Sequence, residues 1–307
     1  MLLIITALIL GIIVGYFRLL SDKLVRLTKP ISLIGLLLLI FLLGVKVGDE
    51  PRVTQHLGEI GVQGFFIALF AVVGTLIFAI PIDLWLRKRM VINSNHTQQQ
   101  GKLQEFQITG LILLCMATGI IVGYLHVLPS LILTQLDTLS WWLLALLLFL
   151  VGIDMGMTAI WKKVMQFGFF ILVLPIGVAV GSLLGAIAVS YMLSMPMNQT
   201  TSVAGAFGWY TLSAVVLGKM HSPQLGALAF FANVLRELAT FIFFPLFVRL
   251  HRQISGIAIG GATTMDTTLV LIDRIAGAEY AAIAFIQGLI LSIIVPFLVP
   301  ILIKLGS

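Results

Sequence analysis

The string GIIVGY stands at residues 11–16 and again at 119–124, and FLLGVKVG at 41–48 aligns with FLVGIDMG at 149–156, both at a separation of 108 residues. Two matches at one separation mark an internal duplication. Each copy holds three apolar runs, 2–17, 30–48 and 60–86 in the first and 108–126, 138–156 and 166–192 in the second. These meet or nearly meet the roughly 20 apolar residues that a spanning helix needs. They are spans and not buried core because the 307 residues are 60% hydrophobic and 10% charged, with a mean hydropathy of +1.14, beyond what a water-soluble surface permits. Three spans per copy is an odd number, so the second copy threads the bilayer upside down relative to the first. Inverted repeats are a signature of secondary transporters, whose substrate site lies near the midplane at the repeat interface. The fold class is therefore an all-α integral membrane protein, a polytopic helix bundle with inverted-topology repeats.

The first span, MLLIITALILGIIVGYF, has no basic segment ahead of it and no small-residue cleavage site, and reads as retained. Basic residues orient the rest. Arg18, Lys23, Arg26 and Lys29 follow span 1; Arg87, Lys88, Arg89 and Lys102 follow span 3; Lys162 and Lys163 follow span 5. The alternate connections 127–137 and 193–199 carry none, and 49–59 has Arg52 against three acids. The positive-inside bias puts the N-terminus outside a bacterial cytoplasmic membrane. Residues 1–192 divide into repeats at 1–90 and 108–192 joined by a polar cytoplasmic loop, 87–107, and 193–307 forms a separate transport-core half.

That half carries a weaker repeat. GWYTLSAVVL (208–217) can be laid on GATTMDTTLVL (261–271) with Gly208 over Gly261 and Ser213 over Asp266, while FFPLF (243–247) matches IVPFL (294–298). Each copy is an irregular Gly/Ser/Thr-rich segment, 202–218 or 256–275, followed by a long helix, 224–248 or 278–303. If both irregular segments cross, there are ten spans; if both dip in and return, there are eight, with both termini outside and Arg249, His251 and Arg252 in the cytoplasm, as the charge bias prefers. Either way, non-helical backbone at membrane depth must be buried in protein or line a wet cavity.

Most of the twelve acids sit at span ends, Asp83 among them, four residues before Arg87 and placed for a helix-end ion pair. Asp154, Glu237 and Asp266 instead have apolar or hydroxyl neighbours on both sides, and a charge at the bilayer centre costs at least about 2.5–3.5 kcal/mol. Glu237 shares a helix face with Asn233. Arg236 points about 100° away from it, so the adjacent pair does not simply neutralise itself. A bundle-stapling ion pair is the bland alternative for Glu237, and a backbone-capping aspartate the one for Asp266. Around Asp266, Thr263, Thr264, Thr267, Thr268 and backbone loosened by Gly260 and Gly261 offer oxygen ligands suited to an ammonium group or small cation. Asp154 has Lys46 as its repeat counterpart, and a structural salt bridge there competes evenly with a functional role. Trp209 and Tyr210 could flank an amine through cation–π contact, or simply pack.

Other signals are weak. Cys115 is alone, which excludes an internal disulfide. The five histidines lack metal-ligand spacing, Trp85, Trp141, Trp142 and Trp161 fit an aromatic belt, and the net charge of +6 is spread along connections, not gathered into a nucleic-acid patch.

AFGWYTLSAVVL (206–217), AFFANVLREL (229–238) and GGATTMDTTL (260–269), in that order, resemble the bacterial lysine exporter family of the LysO type, whose C-terminal half carries FGWYSLSG-like, FFND-then-RE and GATSMD stretches. The resemblance covers essentially the whole chain in length and span pattern. It implies export of L-lysine and close analogues such as thialysine across the cytoplasmic membrane, driven by proton antiport with no other cofactor. Carried over by position, Glu237 and Asp266 match the family's intramembrane acidic pair, and Phe207, Gly208, Trp209, Tyr210 and Arg236 its motif residues. Asn233 stands where the family pattern has an aspartate.

The expectation is a secondary active exporter, not an enzyme. Glu237 and Asp266 meet the substrate's ammonium groups or the coupling proton, and Asn233, Arg236, Thr263, Thr264, Thr267, Tyr210, Trp209, Ser213 and Asp154 complete the candidate set. A sodium/proton or small organic ion transporter of related architecture remains the alternative, and a homodimer stays open. An intramembrane aspartyl protease is disfavoured because neither acid lies in a Tyr-Asp/Gly-x-Gly-Asp pairing.

Overall fold

The computed structural model describes residues 2–49, 58–89, 102–157 and 172–305. They form α1 (Leu2–Tyr16), α2 (Asp22–Asp49), α3 (Glu59–Arg89), α4 (Lys102–Tyr124), α5 (Ser130–Met157), α6 (Val173–Leu193), α7 (Met197–Ala204), α8 (Tyr210–Met220), α9 (Pro223–Arg249), α10 (Gln253–Gly260), a 3₁₀ turn (Gly261–Met265), α11 (Thr267–Ala276) and α12 (Ala278–Lys304). Among the described residues there is no strand. Six helices are long and apolar enough to cross a membrane, and α1 and α4 contribute shorter apolar stretches. Arg52, residues 90–101 of the expected cytoplasmic loop, Trp161, Lys162 and Lys163 lie outside the described residues.

The chain divides into two compact units. The first gathers Met1–Thr54, Ile92–Gln166 and Leu269–Ile283; the second gathers Gln55–Val91, Phe167–Thr268 and Ala284–Ser307.

In the first unit the duplicated strings turn out to be contact surfaces. A methyl group on Gly11 or Gly15 of α1 would strike the carbonyl oxygen of Phe149 or Ile153 on α5, and one on Gly119 or Gly123 of α4 would strike that of Phe41 or Val45 on α2. The second set of contacts is the first moved on by 108 residues with the helices exchanged. Reciprocally, Gly152 and Gly156 meet Leu8 O and Ile12 O, and Gly44 and Gly48 meet Met116 O and Ile120 O. The register rises together along both members of each pair, so α1 runs parallel to α5 and α2 to α4. Such approach without side chains is what small residues allow in a bilayer, where lipid tails leave no hydrophobic drive between helices and close van der Waals packing supplies the attraction. The turns repeat as well. Arg18 (φ 50°) and His126 (φ 48°) both take left-handed backbone, with Leu19 N donating to Val14 O and Val127 N to Val122 O, one helix-ending motif used twice. Lys46 and Asp154 both belong to this unit and are half-buried. His126 Nδ1 lies 2.8 Å from Asp49 Oδ1, an exposed pair beside the α2–α4 seam.

In the second unit α3 and α6 cross in opposite directions. Gly74 and Gly181 face each other's carbonyls, and Gly185 faces Phe70 O. The helix α9 is buried along most of its length, Asn233, Arg236 and Glu237 included. The segment α7–α8 doubles back. Gln199 Nε2 donates to His221 Nε2 at 3.2 Å, although a separation of 22 residues would span about 33 Å as one helix. The helix α12 passes α10 near its start, where Gln287 Nε2 donates to Ile257 O (3.1 Å), and ends beside α7, where Ile303 O accepts from Asn198 Nδ2 (3.0 Å). Asp83, fully buried near the end of α3, accepts from Ser255 N (3.3 Å) and Ser255 Oγ (2.8 Å) in the first turn of α10. It thus satisfies orphan donors of a helix start; the side chain of Arg87, its expected partner, lies outside those described.

Candidate functional site

The second unit contains two helices that stop and restart. Between α7 and α8 the chain unwinds over 205–209 with Phe207 at φ 51° and Gly208 at φ 100°, and between α10 and α11 it tightens into the 3₁₀ turn with Gly261 at φ 60°. The glycines superposed in the weaker repeat, Gly208 and Gly261, thus both adopt backbone which side-chain-bearing residues rarely adopt. The breaks touch. Ala262 N donates to Phe207 O at 2.8 Å, and a methyl on Gly208 would lie 3.2 Å from Gly260 O.

Threonines and one glutamine hold the second break in shape. Thr263 Oγ1 donates to Gly260 O (3.0 Å) and Thr268 Oγ1 to Thr263 O (3.0 Å). Thr264 Oγ1 lies 2.8 Å from Gly261 O and 2.7 Å from Ala284 O. Gln287 Nε2 also reaches Gly261 O and Thr264 Oγ1, each at 3.4 Å. Gln287 Oε1 is buried and meets no donor among the described residues, an acceptor beside the break.

Both expected acids converge here. Asp266 is half-buried at the head of α11, its Oδ1 accepting from Thr267 N at 2.6 Å and lying 3.3 Å from Thr267 Oγ1. Glu237 is fully buried on α9, and its Oε1 accepts from the same Thr267 hydroxyl. One hydroxyl therefore bridges two carboxylates that are 29 residues apart in sequence. A hydroxyl has one proton to donate but accepts twice, so the row Glu237–Thr267–Asp266 passes from one donor pattern to another when a proton arrives at either end.

Arg236, next to Glu237, is 1% exposed. Its Nε donates to Ile259 O (2.9 Å), Nη1 to Ser182 Oγ (2.7 Å) and Nη2 to Thr75 Oγ1 (3.2 Å), and its guanidinium lies 5.9 Å from the Phe207 ring centroid. Thr75 and Ser182 follow Gly74 and Gly181, so the side chain enters where α3 and α6 cross.

The whole arrangement lies within a chain that matches the family model described as "Lysine exporter LysO" over residues 5–96 and 113–303. The chain belongs to the LysO lysine exporter family. Lysine exporter LysO of Escherichia coli strain K12 is 29% identical over 263 residues, 85% of this chain and 86% of its own length. A Haemophilus influenzae protein, named a lysine exporter provisionally, is 34% identical over 157 residues, 51% of this chain and 80% of its own. No solved structure matches at a significant level.

Against the LysO pattern, Asn233 finds its explanation in the first break. Its Oδ1 accepts from Gly208 N (2.8 Å) while Nδ2 donates to Val203 O and Ala229 O (both 2.9 Å), with Ser213 Oγ at 3.5 Å. Buried and bonded at both ends, the amide clamps the break, with both N–H groups of Nδ2 and one lone pair of Oδ1 engaged. An ionised aspartate could accept from Gly208 but could not donate to either carbonyl. Asn233→Asp should therefore lower stability by about 1–3 kcal/mol through unsatisfied buried groups, read as a lower Tm in detergent; an unchanged Tm would overturn the clamp.

Of the remaining candidates, Ser213 lies buried in α8, its Oγ donating to Tyr210 O at 3.1 Å. Tyr210 is half-buried and stacks edge-on to Phe230. Trp209 precedes α8, half-buried. Asp154 belongs to the first unit. Thr75, Ser182 and Gln287 were not expected; single polar residues in apolar helices were the only sign of them.

Proposed function

We propose that this LysO-family chain exports L-lysine and close cationic analogues such as thialysine from the cytoplasm in exchange for protons. One observation carries the reading: Glu237 and Asp266, joined through Thr267, meet at the crossing of two broken helices. A carboxylate there binds a proton or an ammonium group but not both at once, so occupation by one displaces the other and exchange needs no further machinery. The unwound carbonyls and the acceptor Gln287 Oε1 suit a substrate with several N–H donors, as broken helices do in transporters of this type. The reciprocal glycine seams 108 residues apart support reading α1–α6 as inverted repeats whose movement exposes the site alternately. The doubling back of α7–α8 supports the eight-span arrangement with both termini outside.

The test is uptake of radiolabelled lysine into inverted membrane vesicles under an inward-acid pH gradient. Uptake should be competed by thialysine and be indifferent to sodium; sodium-dependent uptake, or none competed by thialysine, would move the assignment to a different ion or substrate.

A further inference from the structure

The second unit holds a cavity that the acid pair does not account for. Its volume is about 580 Å³, within the roughly 300–1,000 Å³ typical of small-molecule sites, and its described lining lies wholly in Gln55–Val91 and Phe167–Thr268. Its walls include Gln63 near the start of α3, Gln199 in α7, His221 and Ser222 after α8, and Gln224 and Leu228 in the first turns of α9. The cavity thus sits where the two ends of the α7–α8 hairpin meet, tied by the Gln199–His221 bond, while the tip of that hairpin makes the first break. Leu228 precedes Glu237 by nine residues, about 14 Å along α9. Gln63 precedes Asp83 by twenty, about 30 Å along α3. The cavity is therefore separate from the acid pair and at the opposite end of the unit from Asp83 and the start of α10, the outer side on the orientation proposed above.

Its chemistry also differs. Among the described lining residues are three primary amides, an imidazole and a hydroxyl, with no Asp, Glu, Lys or Arg. Lys219 is exposed in the last turn of α8, and the side chain of Glu59, between the lining residues Gly58 and Ile60, lies outside those described. His221 is engaged at both ring nitrogens, by Gln199 Nε2 (3.2 Å) and by Ser222 Oγ (3.3 Å), and braces the wall. Beyond its bond to His221, Gln199 has a second N–H and the acceptor Oε1, and Gln224 is exposed. An amide both donates and accepts, so such a wall pairs with both ends of a zwitterion. A bare cation entering a pocket without a carboxylate loses hydration and gains no ion pair, whereas a zwitterion brings its own counter-charge.

We propose that this cavity is a second amino-acid site, an outer way station that holds the departing amino acid by its α-ammonium and α-carboxylate. It reads the head group common to amino acids, whereas the acid pair reads the cation. Hydrogen bonds between neutral groups and the ligand give modest affinity, which suits a point of release. The way station rests on the export reading above.

Met195→Cys, which puts a thiol on the cavity wall, made in the purified full-length chain with Cys115→Ala, tests the site by maleimide labelling. L-Lysine and L-norleucine, which lacks the ε-ammonium, should each slow labelling about tenfold at about ten times their half-effective concentration. Cadaverine, which is lysine without its carboxylate, should not protect at the same concentration. Met197→Cys, exposed at the start of α7, should label at one rate throughout. Protection should persist with Glu237→Gln and Asp266→Asn added, and with Glu59→Gln. Gln224→Leu should raise the half-effective lysine concentration about tenfold, the equivalent of one hydrogen bond, at an unchanged Tm. Protection by cadaverine and not norleucine, or its loss with Glu59→Gln, would make the cavity a cation passage and overturn the proposal. Loss of protection in the acid-pair variant would mean that labelling reports closure at the core, overturning the second site and leaving export standing. An unchanged half-effective concentration in Gln224→Leu would likewise overturn it. Lysine counterflow in wild-type proteoliposomes is read separately, and its absence would overturn the export reading itself.

Discussion

Glu237→Gln and Asp266→Asn should each reduce proton-driven lysine flux in proteoliposomes to background, a loss of at least about 10²-fold, while leaving the protein folded. The amides are chosen because the geometry lets charge be removed without removing shape. The Asp266 Oδ1 that accepts from Thr267 N (2.6 Å) has a counterpart in the asparagine carbonyl oxygen, so the head of α11 stays bonded. The Glu237 Oε1 that accepts from the Thr267 hydroxyl has one in the glutamine oxygen. What each variant lacks is a group that can bind either a proton or an ammonium, and an interior that tolerates so few charges offers no substitute. Tm values near wild type together with lost flux would identify both acids as working groups. Flux that survives in both variants would refute the site.

The second large effect belongs to Gly261→Ala. Gly261 sits at φ 60° and ψ −120°, and an added methyl would overlap Phe207 O and lie 3.1 Å from Phe207 Cβ. Left-handed backbone costs an L-residue about 1–2 kcal/mol, and forcing a methyl into a packed crossing about 1–3 kcal/mol more. It also pushes apart the Ala262 N to Phe207 O bond that joins the breaks. The expected result is a Tm well below wild type and loss of transport. Gly277→Ala is the matched comparison, since Gly277 also has positive φ (88°) but open space around it; it should show the backbone cost alone. If the two variants behave alike, the crossing is not where the strain lies.

What was readable in advance follows from how costly each residue is. Glu237 and Asp266 stood out because a carboxylate in an apolar helix needs a reason, and Gly208 and Gly261 aligned because both breaks need backbone that only glycine adopts freely. The 108-residue duplication survived as a readable string because Gly11, Gly15, Gly44 and Gly48, with their counterparts, press on carbonyls and cannot grow. The roles of Thr75, Ser182 and Gln287 were not legible, since a hydroxyl or amide in a helix names no partner until a distant segment is laid beside it. The same holds for the clamp that Asn233 makes: its bonds go to Val203, Gly208 and Ala229, at least 4 and up to 30 residues away, and its position on the Glu237 face names none of them. The doubling back of α7–α8 was an open alternative because hydropathy gives the length of a segment and not the place where its ends meet.

The interleaving of the two units has a consequence for how the protein is made. Gly11 meets its partner Phe149 roughly 140 residues later, on the order of ten seconds of ribosomal synthesis, so α1 enters the bilayer well before the helix it packs against exists. The first unit recruits its last piece from Leu269–Ile283 and the second from Ala284 onward. Neither unit is complete until nearly all of these residues have been inserted, and a fragment ending before α4 would leave the glycine seams of α1 and α2 without the helices they pack against.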